Sequence, residues 1–83
     1  MDYIYVYDDN NNKIKMEVVT VFDISDSKYH YIIYRSLDKE HTYYGKYLGD
    51  SITDLITDLT EKEMLIVNTI YEELEGEANA RSE

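Results

Sequence analysis

Val18-Val19-Thr20-Val21-Phe22-Asp23-Ile24-Ser25-Asp26-Ser27-Lys28-Tyr29-His30-Tyr31-Ile32-Ile33-Tyr34 decides the fold. Two β-branched and aromatic runs bracket the four turn-forming residues Ser25–Lys28, which is the signature of an antiparallel hairpin. This stretch is the densest apolar segment of the chain, so the other elements are expected to pack around it.

Upstream, Tyr3-Ile4-Tyr5-Val6-Tyr7 is β-prone and stops at Asp8-Asp9-Asn10-Asn11-Asn12. Asp and Asn tolerate left-handed backbone and bond to nearby amides, so this polar run predicts a hairpin loop. From Ile14 the apolar residues Ile14, Met16, Val18, Phe22 and Ile24 alternate with Lys13, Lys15, Glu17 and Asp23, the period of a half-buried strand. Val19 and Val21 break the polar face, which predicts a bulge or a second covered surface.

Downstream, Tyr29–Arg35 reads as a third strand, apolar on both faces, and His41–Leu48 as a fourth. Pairing them as a hairpin sets Arg35 near Thr42 and His30 near Tyr47. Gly45 falls in mid-strand, where a missing side chain marks a bulge or a close neighbour. The segment 51–59 is ambiguous. Ile52, Leu55, Ile56 and Leu59 have helical spacing, yet Thr53 and Thr57 are weak helix formers, and an irregular lead into the next helix is favoured. Thr60-Glu61-Lys62-Glu63 is a capping box opening a helix with the stripe Met64, Val67, Ile70, Tyr71 and Leu74, and Gly76 is placed to end it. The expected fold is α+β, a four-stranded antiparallel β-meander with one C-terminal α-helix packed on a face. A short fifth strand within 51–59 stays open. Residues 1–75 form the single small domain and 76–83 a flexible acidic tail.

With 83 residues the chain makes one domain with a small core. It has no cysteine, so thiolate chemistry and disulfides are excluded, and the absence suits a reducing compartment. The start Met1-Asp2-Tyr3 lacks a basic region and an apolar run, and the longest apolar run is Met64–Val67. Neither a secretory leader nor a membrane span is expected, and the protein is read as cytoplasmic. The net charge is −10, with −2 in residues 1–49 (eight acidic, six basic) and −8 in residues 50–83 (ten acidic, two basic). Such a balance disfavours direct binding to nucleic acid or to anionic membranes and leaves a basic protein partner open.

Candidate chemistry is sparse. Asp8–Asn12 has oxygen-bearing side chains, but Lys13 stands where a calcium loop needs glycine and Val19 where it needs a bidentate glutamate. Asp50, Asp54 and Asp58 would share a face only if that segment were helical. His30 and His41 lie at opposite ends of one hairpin, and no serine or threonine has an evident histidine partner. No catalytic residue, cofactor or metal is expected, and an enzyme is disfavoured. The compositional oddity is ten tyrosines with no tryptophan and one phenylalanine. Tyrosine suits strands, but one helix covers only one sheet face, so some rings must stay exposed. Tyr3, Tyr5, Tyr7, Tyr43, Tyr44 and Tyr47 are the candidate partner-binding residues of a non-catalytic interaction or adaptor module. The competing expectation is an acidic nucleic-acid mimic that inhibits a nucleic-acid-binding protein.

The order of elements resembles the YrzB-like family of small acidic bacterial proteins, a domain of unknown function. The resemblance rests on Val6-Tyr7-Asp8-Asp9 closing a first strand, Val19-Thr20-Val21-Phe22 before a short polar turn, Tyr29 opening the next strand, Leu55 and Leu59, and the acidic helix Glu63, Val67, Leu74. It covers about residues 3–75. This chain departs from the family in lacking a glycine in the first turn, a proline before the helix and an aromatic at the helix start. These are packing positions, so the resemblance implies a fold and brings no site residues.

Overall fold

The structure, a computed structural model, describes residues 2–50 and 52–81, without the side chains of 53 and 77–81. Four strands, β1 (Tyr3–Tyr7), β2 (Lys13–Asp23), β3 (His30–Arg35) and β4 (Thr42–Tyr47), form one antiparallel sheet in the order β1-β2-β3-β4. A 3-10 turn, Ile52–Asp54, leads to the helix α1 (Glu61–Arg81). The α+β meander with one C-terminal helix is therefore the observed architecture.

Each connection follows from its residues. In the β1–β2 loop the Asp8 carboxylate accepts the backbone N–H of Asn10 and Asn12, while Asn11 takes the left-handed conformation at φ 64°. In the β2–β3 turn Asp26 does the same at φ 68°. The β3–β4 register sets Arg35 opposite Thr42 and His30 opposite Tyr47, as the hairpin reading requires.

The bulge expected near Val19 falls between Val18 and Thr20. It explains why Val18, Val19 and Val21 can all be apolar. Val18 packs with Met16, Ile32 and Tyr34 on one face of the sheet, and Val19 packs with Tyr31, Ile33 and Val67 on the other. The face under α1 is the helix face, where Val67 is only 1% exposed. The opposite face, here the open face, is covered in part by Ile52 and Leu55. β3 is buried on both sides, which is why its residues are apolar without alternation.

The ambiguous segment does two things. After the 3-10 turn, Ile56 makes a one-residue bridge to Lys46, its N–H donating to the Lys46 carbonyl at 2.8 Å and its carbonyl accepting the Lys46 N–H at 2.9 Å. Leu55 thus lies on the open face and Leu59 on the helix face, so the chain wraps the β4 edge on its way to α1.

The helix does not end at Gly76 but continues to Arg81. Gly76 has no positive φ, and Glu, Ala and Arg beyond it are good helix formers, so nothing forces the left-handed turn of a C-cap. The expected tail thus overlaps the helix as far as Arg81, and residues 82–83 lie outside the described residues.

Candidate functional site

Polar side chains beneath the helix start form the most connected cluster. The capping box is in place: Glu63 N–H donates to Thr60 Oγ1 at 3.1 Å and Thr60 N–H donates to Glu63 Oε1 at 2.9 Å. The same carboxylate also accepts Lys46 Nζ on Oε1 at 2.8 Å and the Tyr31 hydroxyl on Oε2 at 2.5 Å. With its own proton committed to Glu63, Tyr31 accepts from the Ser27 hydroxyl at 2.7 Å. The Lys46 ammonium lies 4.5 Å from the centre of the Tyr29 ring. Burial opposes ionisation of Glu63, but the Lys46, Thr60 and Tyr31 donors outweigh it and hold the pKa at about 2. Both Glu63 oxygens are hydrogen-bonded, so this carboxylate is a clamp between β3, β4 and α1, and its low pKa makes it a weak base.

Other charged groups are paired in simpler ways. Arg35 donates to Glu17 through Nε at 3.0 Å and Nη2 at 2.6 Å across β2 and β3. His30 Nδ1 is 2.5 Å from Asp23 Oδ1, and its ring lies against Tyr47. No cluster of three or more histidine or carboxylate side chains that could hold a metal occurs among the described residues. Asp54 lies in the 3-10 turn and Asp58 in irregular chain, so with Asp50 they do not share a helix face.

The six candidate tyrosines do not form one surface. Tyr3, Tyr5 and Tyr7 are 44%, 52% and 63% exposed and lie along β1 on the helix face. Lys15 Nζ stands 4.3 Å from the Tyr3 ring centre and Lys13 Nζ 4.5 Å from that of Tyr5. Tyr43 and Tyr47 point to the open face, Tyr43 stacked on Tyr34 at 5.6 Å and Tyr47 half-buried beside His30. Tyr44 is under the helix, edge-on to Tyr71 at 6.2 Å, and takes part in the core. The strand period alone separates Tyr44 from its neighbours, because Tyr43 and Tyr47 share a parity that Tyr44 lacks.

Sequence reasoning missed a groove on the open face of about 400 Å³. Val6, Ile14, Met16, Tyr34, Ile52 and Leu55 form its apolar lining, Tyr43 stands in its wall, and the end of β1 forms its rim. The signal was present in the shared parity of Ile4 and Val6 with Ile14 and Met16, which pair across the ladder. Because β1 is the first strand of the sheet, the groove rim is also a backbone edge that pairs with no strand among the described residues.

No helix among the described residues is long and apolar enough to cross a membrane. Comparison with known proteins adds no relative: no family model, no curated protein and no solved structure matches the chain.

Proposed function

We propose that the chain is a non-catalytic protein-interaction module that binds through the β1 side of its sheet. One observation carries this reading. The outer edge of β1 pairs with no strand among the described residues, and it has exposed tyrosines on one side and an apolar groove on the other. Aromatic rings that are apolar in body and polar at the tip are favoured where partners dock. The resemblance to the YrzB-like family belongs to the same proposal and agrees with a role that needs no catalytic group. A cytoplasmic setting suits the cysteine-free composition.

A second reading is favoured by a different observation. Asp50, Asp54, Asp58, Glu61, Glu72, Glu73 and Glu75 are all exposed, and Lys62 is the one cation between positions 50 and 76. Such a surface suits a mimic of a phosphate backbone that occupies a basic protein site.

Affinity capture with the tagged chain separates the two. It is run at physiological salt and at about 1 M, where the Debye length falls from roughly 8 Å to 3 Å. A partner kept at both salts, and lost from Tyr5→Ala/Tyr7→Ala or Tyr43→Ala, supports the interaction module. A partner released by salt and indifferent to those tyrosines supports mimicry. Capture of nothing at either salt rejects both.

A further inference from the structure

We propose that the outer edge of β1 is a peptide-binding site that takes an extended segment alternating acidic and apolar residues. The proposal rests on the interaction-module reading and names its site and the chemistry of its partner.

The backbone comes first. Val18 N–H donates to the Asp2 carbonyl at 2.8 Å, and Asp8 N–H donates to the Asn12 carbonyl at 3.1 Å. Both ends of the ladder therefore face β2 at even positions, and the alternation of an antiparallel pair turns the N–H and C=O of Tyr5 and Tyr7 outward. An added strand can pair with these groups, the mode by which many domains capture extended peptides.

The side chains of such a strand divide between the two faces. On the open face they would extend the apolar row of Ile4 and Val6, both half-buried, of which Val6 lines the groove. On the helix face they would meet Tyr5 and Tyr7 with the ammonium groups of Lys13 and Lys15, which already reach from β2 onto the rings of β1. These lysines have no carboxylate within ion-pair distance among the described residues, although the chain carries a net charge of −10. Adjacent strands lie about 4.8 Å apart, so carboxylates on the helix-face positions of the added strand come within reach of both cations. Asp2 and Asp8 stand at the two ends of the edge and confine the acidic part of the ligand to about five residues, one strand's length.

A second copy of this chain fits the edge less well. Antiparallel pairing about Tyr5 would set Asp2 against Asp8 of the other copy at both ends, bring two strongly acidic domains together and supply no carboxylate to Lys13 or Lys15.

The test uses the full chain and two synthetic seven-residue peptides, one alternating glutamate with valine and one alternating lysine with valine. The glutamate peptide is expected to bind saturably by fluorescence anisotropy, and the lysine peptide at least roughly tenfold more weakly, since it exchanges exposed ion pairs with Lys13 and Lys15 for repulsions. In K13E/K15E, whose changes are at exposed positions, that preference should reverse. Tyr5→Pro removes an outward N–H without breaking the ladder to β2 and should abolish binding, and a glutamate peptide N-methylated at alternate residues provides the same test should that variant fail to fold. No binding of either peptide, or binding indifferent to K13E/K15E, overturns the site while leaving the interaction module to be judged by the tyrosine variants. Concentration-dependent dimerisation lost in Tyr5→Pro would assign the edge to a second copy and also overturn the proposal.

Discussion

Leu55 rests on Gly45 so closely that a Cβ added to Gly45 would lie 2.8 Å from Leu55 Cδ1 and 2.9 Å from its Cγ. The missing side chain in mid-β4 is thus the seat of the segment that wraps the sheet edge. Gly45→Ala must displace the Leu55 branch point as well as its methyl groups. Overpacking of this kind costs about 1–3 kcal/mol, more than the roughly 0.5–1 kcal/mol alanine returns by restricting the unfolded chain. Urea unfolding should show the net loss.

Acid should loosen the attachment of the helix. Glu63 has a folded pKa of about 2, below its ordinary 4.5. A depressed carboxylate contributes its full stability above the unfolded value and loses it as pH falls through the folded one. Between about pH 4.5 and 2 the domain should therefore lose on the order of 2–3 kcal/mol through this group. In Glu63→Gln the domain should be less stable at neutral pH, and its stability should change less over that window, as followed by denaturant midpoints at several pH values.

Alkali should act in the same direction through other groups. Burial raises the phenols of Tyr31, Tyr34 and Tyr44 above 10, and for Tyr31 the Glu63 hydrogen bond adds to it. The Glu63 hydrogen bond raises Lys46 against the effect of burial. Groups raised on folding give full stability below their unfolded values and lose it as pH climbs through the folded ones, so stability should decline above about pH 10. Ultraviolet titration of phenolate alongside circular dichroism should show late ionisation coinciding with unfolding.

Two helix residues should differ sharply on truncation. Val67 is buried against Tyr31 and Ile33, whereas Leu65 is 69% exposed. Val67→Ala should cost about 2–3 kcal/mol by lost burial and a residual cavity. Leu65→Ala should stay within about 0.5 kcal/mol. Equal costs in thermal unfolding would mean that α1 does not dock through Val67.

Lys39 closes the β3–β4 turn with φ at 65°. A lysine pays about 1–2 kcal/mol for left-handed backbone that glycine adopts freely. Lys39→Gly is expected to raise the melting temperature by a few degrees despite the added freedom of the unfolded chain.

Strand pairing and the capping box could be read from local rules, because period and turn chemistry act over a few residues. His30 opposite Tyr47, the bulge at Val19 and the Thr60–Glu63 exchange all follow in this way. What local rules do not carry is sidedness. Whether Tyr3, Tyr5 and Tyr7 share a face with Tyr43 depends on counting parity through three hairpins and a bulge, and one bulge reverses the answer. Lys46 is a cation on β4, yet the wrap of 52–59 and the arrival of Glu63 bury it. Glu63 is 17 residues away in the chain, too far for a local rule on β4 to report. Gly76 reads as a stop, but a glycine ends a helix only where the next residues prefer to leave it.

The bridge between Ile56 and Lys46 has a further consequence. A sheet with two bare margins can propagate, each added strand exposing another, which is the geometry of fibrils. Here the chain itself bridges the β4 margin at Lys46, whereas the β1 margin pairs with no strand among the described residues. The two margins are therefore unequal: a strand can pair along the length of β1, whereas along β4 it would have to displace the Ile56 bridge and the segment that crosses there, so capture of one strand is favoured over growth in both directions.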